Sequence, residues 1–212
     1  MQINLAEEVY LESSDLRDLP ELRKVCLQTG NAGKDATEIY NNPDLLGEIY
    51  VEPYVRFQPN FAFTLKAHGQ ISGYVLGALQ TKAFEALVEN NYRPNLLAKY
   101  RIGAGLGTAD RVLLNNYRDF LPTPDEIVDK YPAHLHIDLL PPVQGRNFGK
   151  TMMKVQLRAL LDAGAPGVHL RVARENHRAI NFYRKMGFTN LMTIDSECVL
   201  GYLLTPDSSM FS

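Results

Sequence analysis

Seven consecutive residues, Gln144 to Lys150 (Q-G-R-N-F-G-K), combine turn geometry and charge in a way that could hold a phosphate. They follow an apolar run, Leu135 to Leu140, that reads as a buried strand. They open a segment with apolar residues at helical spacing: Phe148, Met152, Met153, Val155, Leu157, Leu160 and Leu161. A glycine-bearing turn from strand to helix points successive backbone N–H groups outward at a helix N-terminus, which suits phosphate oxygens. Arg146 and Lys150 add charge of the matching sign. A glycine at such a corner also serves a tight turn that binds nothing, so the loop alone names no ligand. Just upstream, strand alternation sets His134, His136 and Asp138 on one face. Asp138 stands nearest the loop, where a carboxylate could take a proton, directly or through water, or orient a substrate. Histidine has the better intrinsic pKa, although a strand histidine is more often a hydrogen-bonded structural residue.

A second stretch, Arg174 to Phe188 (R-E-N-H-R-A-I-N-F-Y-R-K-M-G-F), lies about thirty residues on. Asn176 fits an N-cap, Ala179, Phe182, Tyr183 and Met186 form one apolar helical face, and Gly187 ends the helix. Together the two stretches resemble the Gcn5-related N-acetyltransferases (GNAT), whose acetyl-CoA loop reads Q/R-x-x-G-x-G/A. Gln144, Asn147 and Gly149 stand at its three signature positions, with asparagine replacing the middle glycine. Asparagine tolerates positive φ better than other non-glycine residues, so the turn can survive, while its side chain could crowd a phosphate. Asn176, Ala179, Tyr183, Gly187 and Phe188 match the family's N-x-x-A-x-x-F/L-Y-x-x-x-G-F.

The resemblance implies acetyl-CoA as co-substrate, an amine as acceptor and no metal. It implies that the backbone N–H groups of Val143, Gln144, Gly145, Arg146, Asn147, Phe148, Gly149 and Lys150 hold the pyrophosphate, with Leu139 and Leu140 pairing to the pantetheine arm as another strand would. Asn176 would bond that arm or cap its helix. Tyr183 would be the acid for the departing thiolate, and Asp138 is the base candidate. His68, His169 and His177 read as structural or exposed. The segments C-L-Q-T-G-N-A-G-K-D-A-T, L-L-G-E-I-Y, Y-V-L-G-A-L-Q-T-K-A-F-E and H-L-H-I-D-L-L-P-P-V-Q-G-R-N-F-G-K look most similar to bacterial acetyltransferases resembling the C-terminal acetyltransferase-like domain of O-GlcNAcase. The function so implied is transfer of an acetyl group to an amine of a small molecule, peptide or protein lysine, by direct attack in a ternary complex. The alternative is a module that binds acetyl-CoA or a partner protein without turnover. A nucleotide binder on a doubly wound sheet is disfavoured, because no G-x-x-x-x-G-K-S/T or G-x-G-x-x-G run occurs.

The elements that must position these residues follow from composition and order. A 212-residue chain with 45% apolar content fits a single domain over 1–212. The formal charge of -2 argues against a nucleic-acid partner. That charge is unevenly spread: residues 144–188 hold nine Lys or Arg against two acids, which leaves 13 against 22 elsewhere. A basic half suits an anionic small ligand, and equally a solvated helix face. Cys26 and Cys198 lack metal-ligand spacing and read as core thiols. No apolar run reaches the roughly 18 residues a membrane span needs, so the expectation is a cytoplasmic protein with no membrane partner; a homodimer is left open.

In order along the chain, Glu8 to Glu12 alternates as a strand. Ser14 or Asp15 then caps a helix burying Leu16, Leu19, Leu22, Val25 and Cys26, which Gly30 ends. Asn31 to Tyr50 reads as a second helical segment broken at Asn42-Pro43. Phe61 to Leu79 reads as a hairpin about His68-Gly69, with Gly73 and Gly77 marking a bulge, a close backbone approach or small-residue packing. Residues 80–132 show no strand. They form an expected helical insertion, with helices over Lys82 to Tyr92, Arg111 to Asp119 and from Asp125 or Glu126, and a flexible connection over Arg101 to Thr108. In simpler members of the resembled family this connection is a short turn, so the resemblance implies that the insertion falls near the acceptor site as its candidate wall. Ala133 to Leu140 and Gly167 to Ala173 should be parallel neighbours joined by the loop's helix. Phe188 to Ile194 and Glu197 to Leu204 close the sheet, and a tail from Pro206 packs at most through Phe211. The expected class is α/β (α+β), a GNAT fold: a mixed, mostly antiparallel sheet of six to seven strands with splayed central parallel strands, helices on both faces, and the insertion between the third and fourth strands.

Overall fold

A computed structural model describes residues 2–101 and 105–206. Part of the expected Arg101 to Thr108 connection, and the tail beyond Pro206 with Phe211, lie outside the described residues. One sheet runs through the molecule: β1 (Gln2–Ala6), β2 (Val9–Ser13), β3 (Ala62–Ala67), β4 (Gln70–Ala78), β5 (Ala133–Leu139), β6 (Gly167–Ala173), β7 (Thr189–Ile194) and β8 (Glu197–Leu203), in the order β1-β2-β3-β4-β5-β6-β8-β7. Every neighbouring pair is antiparallel except β5 and β6. The eight strands exceed the expected six to seven because Gln2–Ala6 folds back on β2 through a turn with Glu8 at φ 54°. Gln2, Ile3, Asn4 and Leu5 alternate, so this strand was open to the alternation argument; it pairs as the outermost strand and is left half-exposed.

Between β2 and β3, α1 (Leu19–Thr29) buries Leu19, Leu22, Val25 and Cys26 as the periodicity requires, whereas Leu16, expected with them, lies in the preceding turn and is exposed. The Asp15 carboxylate accepts from the Arg17 N–H to cap the turn that leads into it. The expected helical segment over 31–50 is corrected to a single short helix, α2 (Leu45–Tyr50), followed by α3 (Glu52–Phe57). Residues 31–44 form a loop, because polar side chains there supply local backbone bonds that compete with a helix. Asp35 Oδ1 accepts from the Thr37 N–H at 2.8 Å, and Asn42 Oδ1 from the Asp44 N–H at 3.0 Å.

The insertion is helical, with α4 (Thr81–Asn91), α5 (Arg93–Lys99), α6 (Thr108–Arg118) and α7 (Asp125–Val128). It joins β4 to β5, and Phe84, Val88, Leu96, Leu113, Leu114 and Tyr117 pack with α1–α3 in one apolar cluster. α8 (Phe148–Asp162) and α9 (His177–Lys185) contribute to two clusters on the opposite face. The β3–β4 hairpin turns at His68-Gly69, both at positive φ. Its register shifts between Leu65 and Lys66, beside Gly73. A Cβ on Gly73 would stand 2.7 Å from the Asp138 carbonyl oxygen, and one on Gly77 would run into the Gln156 side chain of α8, so both glycines serve close approach. Cys26 and Cys198 are free thiols.

Candidate active site

The parallel pair is hydrogen-bonded only at its start: β5 and β6 are in register at Ala133↔Val168 and His134↔His169, and no further. Beyond that point the strands part and leave one edge of β5 unpaired by sheet. Alternation identifies that edge. The Leu140 N–H donates to the Ser72 carbonyl of the β4 strand at 2.9 Å, so the backbone groups of Leu140, Asp138 and His136 face β4, while those of Leu139 and Ile137 face the gap. The Leu140 carbonyl accepts from the Val143 N–H at 3.1 Å. Leu140 is therefore committed within the protein, and the backbone groups turned toward the gap are those of Leu139 and Ile137. β4 and β5 pair without a register shift, so the facing deduced for His134, His136 and Asp138 holds.

Pro141–Val143 makes a tight turn, and the loop then passes through two left-handed residues, Gly145 (φ 73°) and Asn147 (φ 62°), before α8 starts. Asparagine adopts the conformation that the family motif assigns to glycine, as expected of the non-glycine residue that tolerates it best. Gly145, Arg146 and Asn147 are exposed, whereas the flanking Val143 and Phe148 are buried anchors. The Val143 and Gln144 N–H groups are spent on the Leu140 and Pro141 carbonyls. This narrows the expected cradle to Gly145, Arg146, Asn147, Phe148, Gly149 and Lys150, the last three at the first turn of α8, where helix geometry leaves N–H groups without partners. A Cβ on Gly145 would meet nothing within 4 Å, so the loop is open there to a ligand atom. The space, the exposed N–H run and the Arg146 and Lys150 charges fit a pyrophosphate.

Gln144 works as a brace. Its Nε2 donates to the Leu139 carbonyl at 2.6 Å, and its Oε1 accepts from Arg178 Nη1 of α9 at 2.5 Å. Gly149 sits where a Cβ would press on Leu139 (3.1 Å) and face Phe182 (3.6 Å). Strand, loop helix and α9 are thereby locked together. Asn176 caps α9, accepting from the Ala179 N–H at 3.1 Å, and its amide abuts Gly33 in the 31–44 loop. The other end of α9 closes with paired bonds, Phe188 N–H to Tyr183 C=O and Gly187 N–H to Arg184 C=O, with Gly187 at φ 91° and the Tyr183 and Phe188 rings 5.7 Å apart. This cap explains why glycine and phenylalanine follow the tyrosine: they fix its backbone and one side of its ring. Tyr183 is buried. Burial, and then the Asp138 charge, push its phenol above the usual range, so it stays protonated.

Asp138 enters from the other face. It is half-buried, and its Oδ2 accepts from the Tyr74 hydroxyl at 2.6 Å. Burial pushes its carboxyl up to about 6, against the opposing hydroxyls of Tyr74 and Thr29. Cys26 lies beside the same pair; burial and the Asp138 charge push its thiol up to about 12, which removes it as a nucleophile at neutral pH. Further along β5, His136 Nε2 lies 2.9 Å from the Tyr54 hydroxyl, which lies 2.7 Å from His134 Nε2. His134 Nδ1 lies 2.8 Å from Thr81 Oγ1 at the start of the insertion. His169 donates from Nδ1 to the Tyr131 carbonyl at 2.7 Å, a structural role as expected. His68 pairs with Glu8 on the surface, and His177 is exposed at the start of α9.

Tyr54, Tyr74, Ile137 and Arg178 were missed in sequence. Ile137 was open to the same alternation argument as Leu139. The two tyrosines belong to elements 80 and 64 residues from their β5 partners, and nothing local signals those contacts.

Comparison with known proteins agrees with this geometry. Residues 33–188 match the family described as Acetyltransferase (GNAT) family. Protein O-GlcNAcase of Rattus norvegicus is 24% identical over 174 residues, which is 81% of this chain and 19% of that protein. The chain thus spans about a fifth of the length of the curated relatives it matches. Among solved structures, the crystal structure of SsHAT is 32% identical with a TM-score of 0.83, covering 93% of this chain and 99% of that one. The PaiA N-acetyltransferase from Thermoplasma acidophilum in complex with coenzyme A is 17% identical with a TM-score of 0.55, covering 92% of this chain and 98% of its own, and supports the fold alone. No helix among the described residues is long and apolar enough to cross a membrane.

Proposed function

The chain belongs to the acetyltransferase (GNAT) family, and from that premise we propose that it moves an acetyl group from acetyl-CoA to a primary amine, by direct attack with both partners bound. The observation that carries this reading is the parting of β5 and β6 after His134 and His169, immediately before the Gly145–Lys150 N–H run. Acetyl-CoA, when bound, supplies the activated acetyl thioester. Ile137 and the Leu139 N–H offer a strand edge unpaired by sheet to its pantetheine arm, the Leu139 carbonyl being held by Gln144, and the loop N–H groups with Arg146 and Lys150 hold its pyrophosphate.

The two candidate proton-handling groups reach the gap from opposite faces of the sheet. Asp138, with a carboxyl near 6, is ionised at neutral pH and accepts the proton an amine must lose before it can attack. Tyr183 holds a proton on a phenol kept neutral by burial, ready for the sulfur that departs. The bond formed joins nitrogen to the acetyl carbon and the bond broken joins that carbon to sulfur. One proton leaves the amine and one joins the thiolate. Cys26, the thiol nearest Asp138, is held protonated, so no acyl-enzyme is assigned to it. The insertion contributes Thr81 and Phe84 beside His134.

Acceptor turnover followed by release of free thiol, over a panel of small amines, peptides and lysine-bearing proteins, tests the proposal. Release that depends on the amine and falls in both Tyr183→Phe and Asp138→Asn supports it. Coenzyme A binding with the same thiol background in all variants would leave a binding module instead.

A further inference from the structure

The polar chain running from β5 into the insertion has a fixed direction. The Pro132 carbonyl takes the Thr81 N–H at 2.8 Å and also lies 2.7 Å from the Thr81 hydroxyl oxygen; two oxygens that close repel unless a proton lies between them, so Thr81 donates its hydroxyl proton there. Thr81 Oγ1 can then only accept from His134, which places a proton on His134 Nδ1. A neutral His134 keeps a lone pair on Nε2, so the Tyr54 hydroxyl donates to it. The Tyr54 proton being spent, its oxygen accepts from His136 Nε2–H. Every contact in the chain has one allowed donor, and the last ring is left with a lone pair on Nδ1. That nitrogen has no partner among the described residues and is not sealed in the interior. His136 shares a face with Asp138, and continuing the β5–β6 register sets it across the gap from Arg171.

We propose that His136 presents an unprotonated Nδ1 to the acceptor side of the gap and accepts a hydrogen bond from the incoming amine, with Tyr54, His134 and Thr81 acting as positioning residues that fix this tautomer. The role rests on the transferase reading above. An amine that has lost one proton to Asp138 still carries two N–H bonds, and donating one of them to His136 fixes how its nitrogen is turned. The charged and titratable groups around His136 are His134 and Asp138 on β5, His169 and Arg171 on β6 and Tyr54 on α3. Burial first, then His169 and Arg171, hold its pKa down to about 4, so the ring stays an acceptor across the working range.

Long-range proton–nitrogen NMR of the histidine rings in the full chain reads the tautomers without turnover. The expected spectrum shows Nε2–H on His136 and Nδ1–H on His134, unchanged from pH 8 to pH 5. Thr81→Val keeps the backbone bond to Pro132 but removes the acceptor for His134 Nδ1–H. The bias then disappears, and an Nδ1–H signal grows in on His136. In the same variant the KM for the amine rises about tenfold, the worth of one oriented hydrogen bond, with kcat less affected, coenzyme A affinity unchanged, and recovery in Thr81→Ser. Wild-type Nδ1–H on His136 would overturn the inference. So would an amine KM that stays put while the Thr81→Val spectrum shifts. A wild-type protein that binds coenzyme A but acetylates no amine removes the role together with the transferase reading, and the spectra alone then decide the tautomer order.

Discussion

The two sides of the parted strands are built in different ways. On the α8–α9 side the working residues come from two short stretches, and the contacts joining them are a brace and a glycine contact: Gln144 to Leu139 and Arg178, and Gly149 against Leu139 and Phe182. On the α1–α7 side Asp138 meets Tyr74, His134 meets Tyr54, and the 31–44 loop is tied to the insertion by Asp110. The first side is contiguous chain folded on itself. The second is an assembly of elements distant in sequence, and under the proposed reading it faces the acceptor while the first faces the acetyl carrier. A loop that holds a constant phosphate can be local, whereas a wall that selects an acceptor must be gathered from wherever side chains of the right kind lie.

Changes on each side should therefore fail differently. Tyr183→Phe should cost most, about a thousandfold in kcat with every acceptor and with coenzyme A affinity retained, because the general acid serves the common leaving group; steady-state kinetics with two unrelated amines checks this. Asp138→Asn should lower kcat/KM about a hundredfold. In the wild type, the rate should be full above pH about 6 and fall tenfold per pH unit below it, as a base is lost on protonation; the variant should lack that limb. Stability runs the opposite way: a carboxyl raised in the fold favours folding below its ordinary pKa, and that contribution is lost as pH climbs through 6. Thermal melts of Asp138→Asn and wild type should thus differ by an amount that changes between pH 4 and 6 and is constant above.

Asp110→Ala probes the assembled side. The fully buried carboxylate accepts from the N–H groups of Asn41, Asn42 and Gly107. Its loss leaves these without their acceptor and should cost about 3 kcal/mol in denaturant unfolding. Amine KM should rise as well, and coenzyme A affinity should hold. The mildest change is Gly145→Val on the local side. It should weaken coenzyme A about tenfold by calorimetry, because a branched side chain is strained at φ 73° and would stand in the open cradle. An equal effect on amine KM would erase the distinction between the two sides.

The same contrast governs what the sequence discloses. The loop, the α9 cap and the parallel pair could be read directly, because positive φ, N-caps, C-caps and strand alternation are local physics written in neighbouring residues. Asn147 at φ 62° and Gly187 at φ 91° adopt the backbone their positions suggested. The acceptor side was legible only as a face carrying His134, His136 and Asp138. Tyr54 and Tyr74 gave no sign of their β5 partners, and the pKa directions of the whole group come from burial, which spacing does not report. The helix expected over 31–50 failed for a related reason: Asp35, Asn42 and the distant Asp110 take up backbone groups that a helix would have used. β1 was missed although Gln2, Ile3, Asn4 and Leu5 carry the alternation of a half-exposed outer strand.

Amide hydrogen exchange with and without saturating acetyl-CoA reads the parted strands residue by residue. Protection should appear at Ile137, at Leu139 and through Gly145–Lys150, while Leu140, already bonded to Ser72, should be slow in both states. Unchanged exchange at all of those amides under saturating ligand, or protection elsewhere alone, would contradict the assignment of the gap to the acetyl carrier.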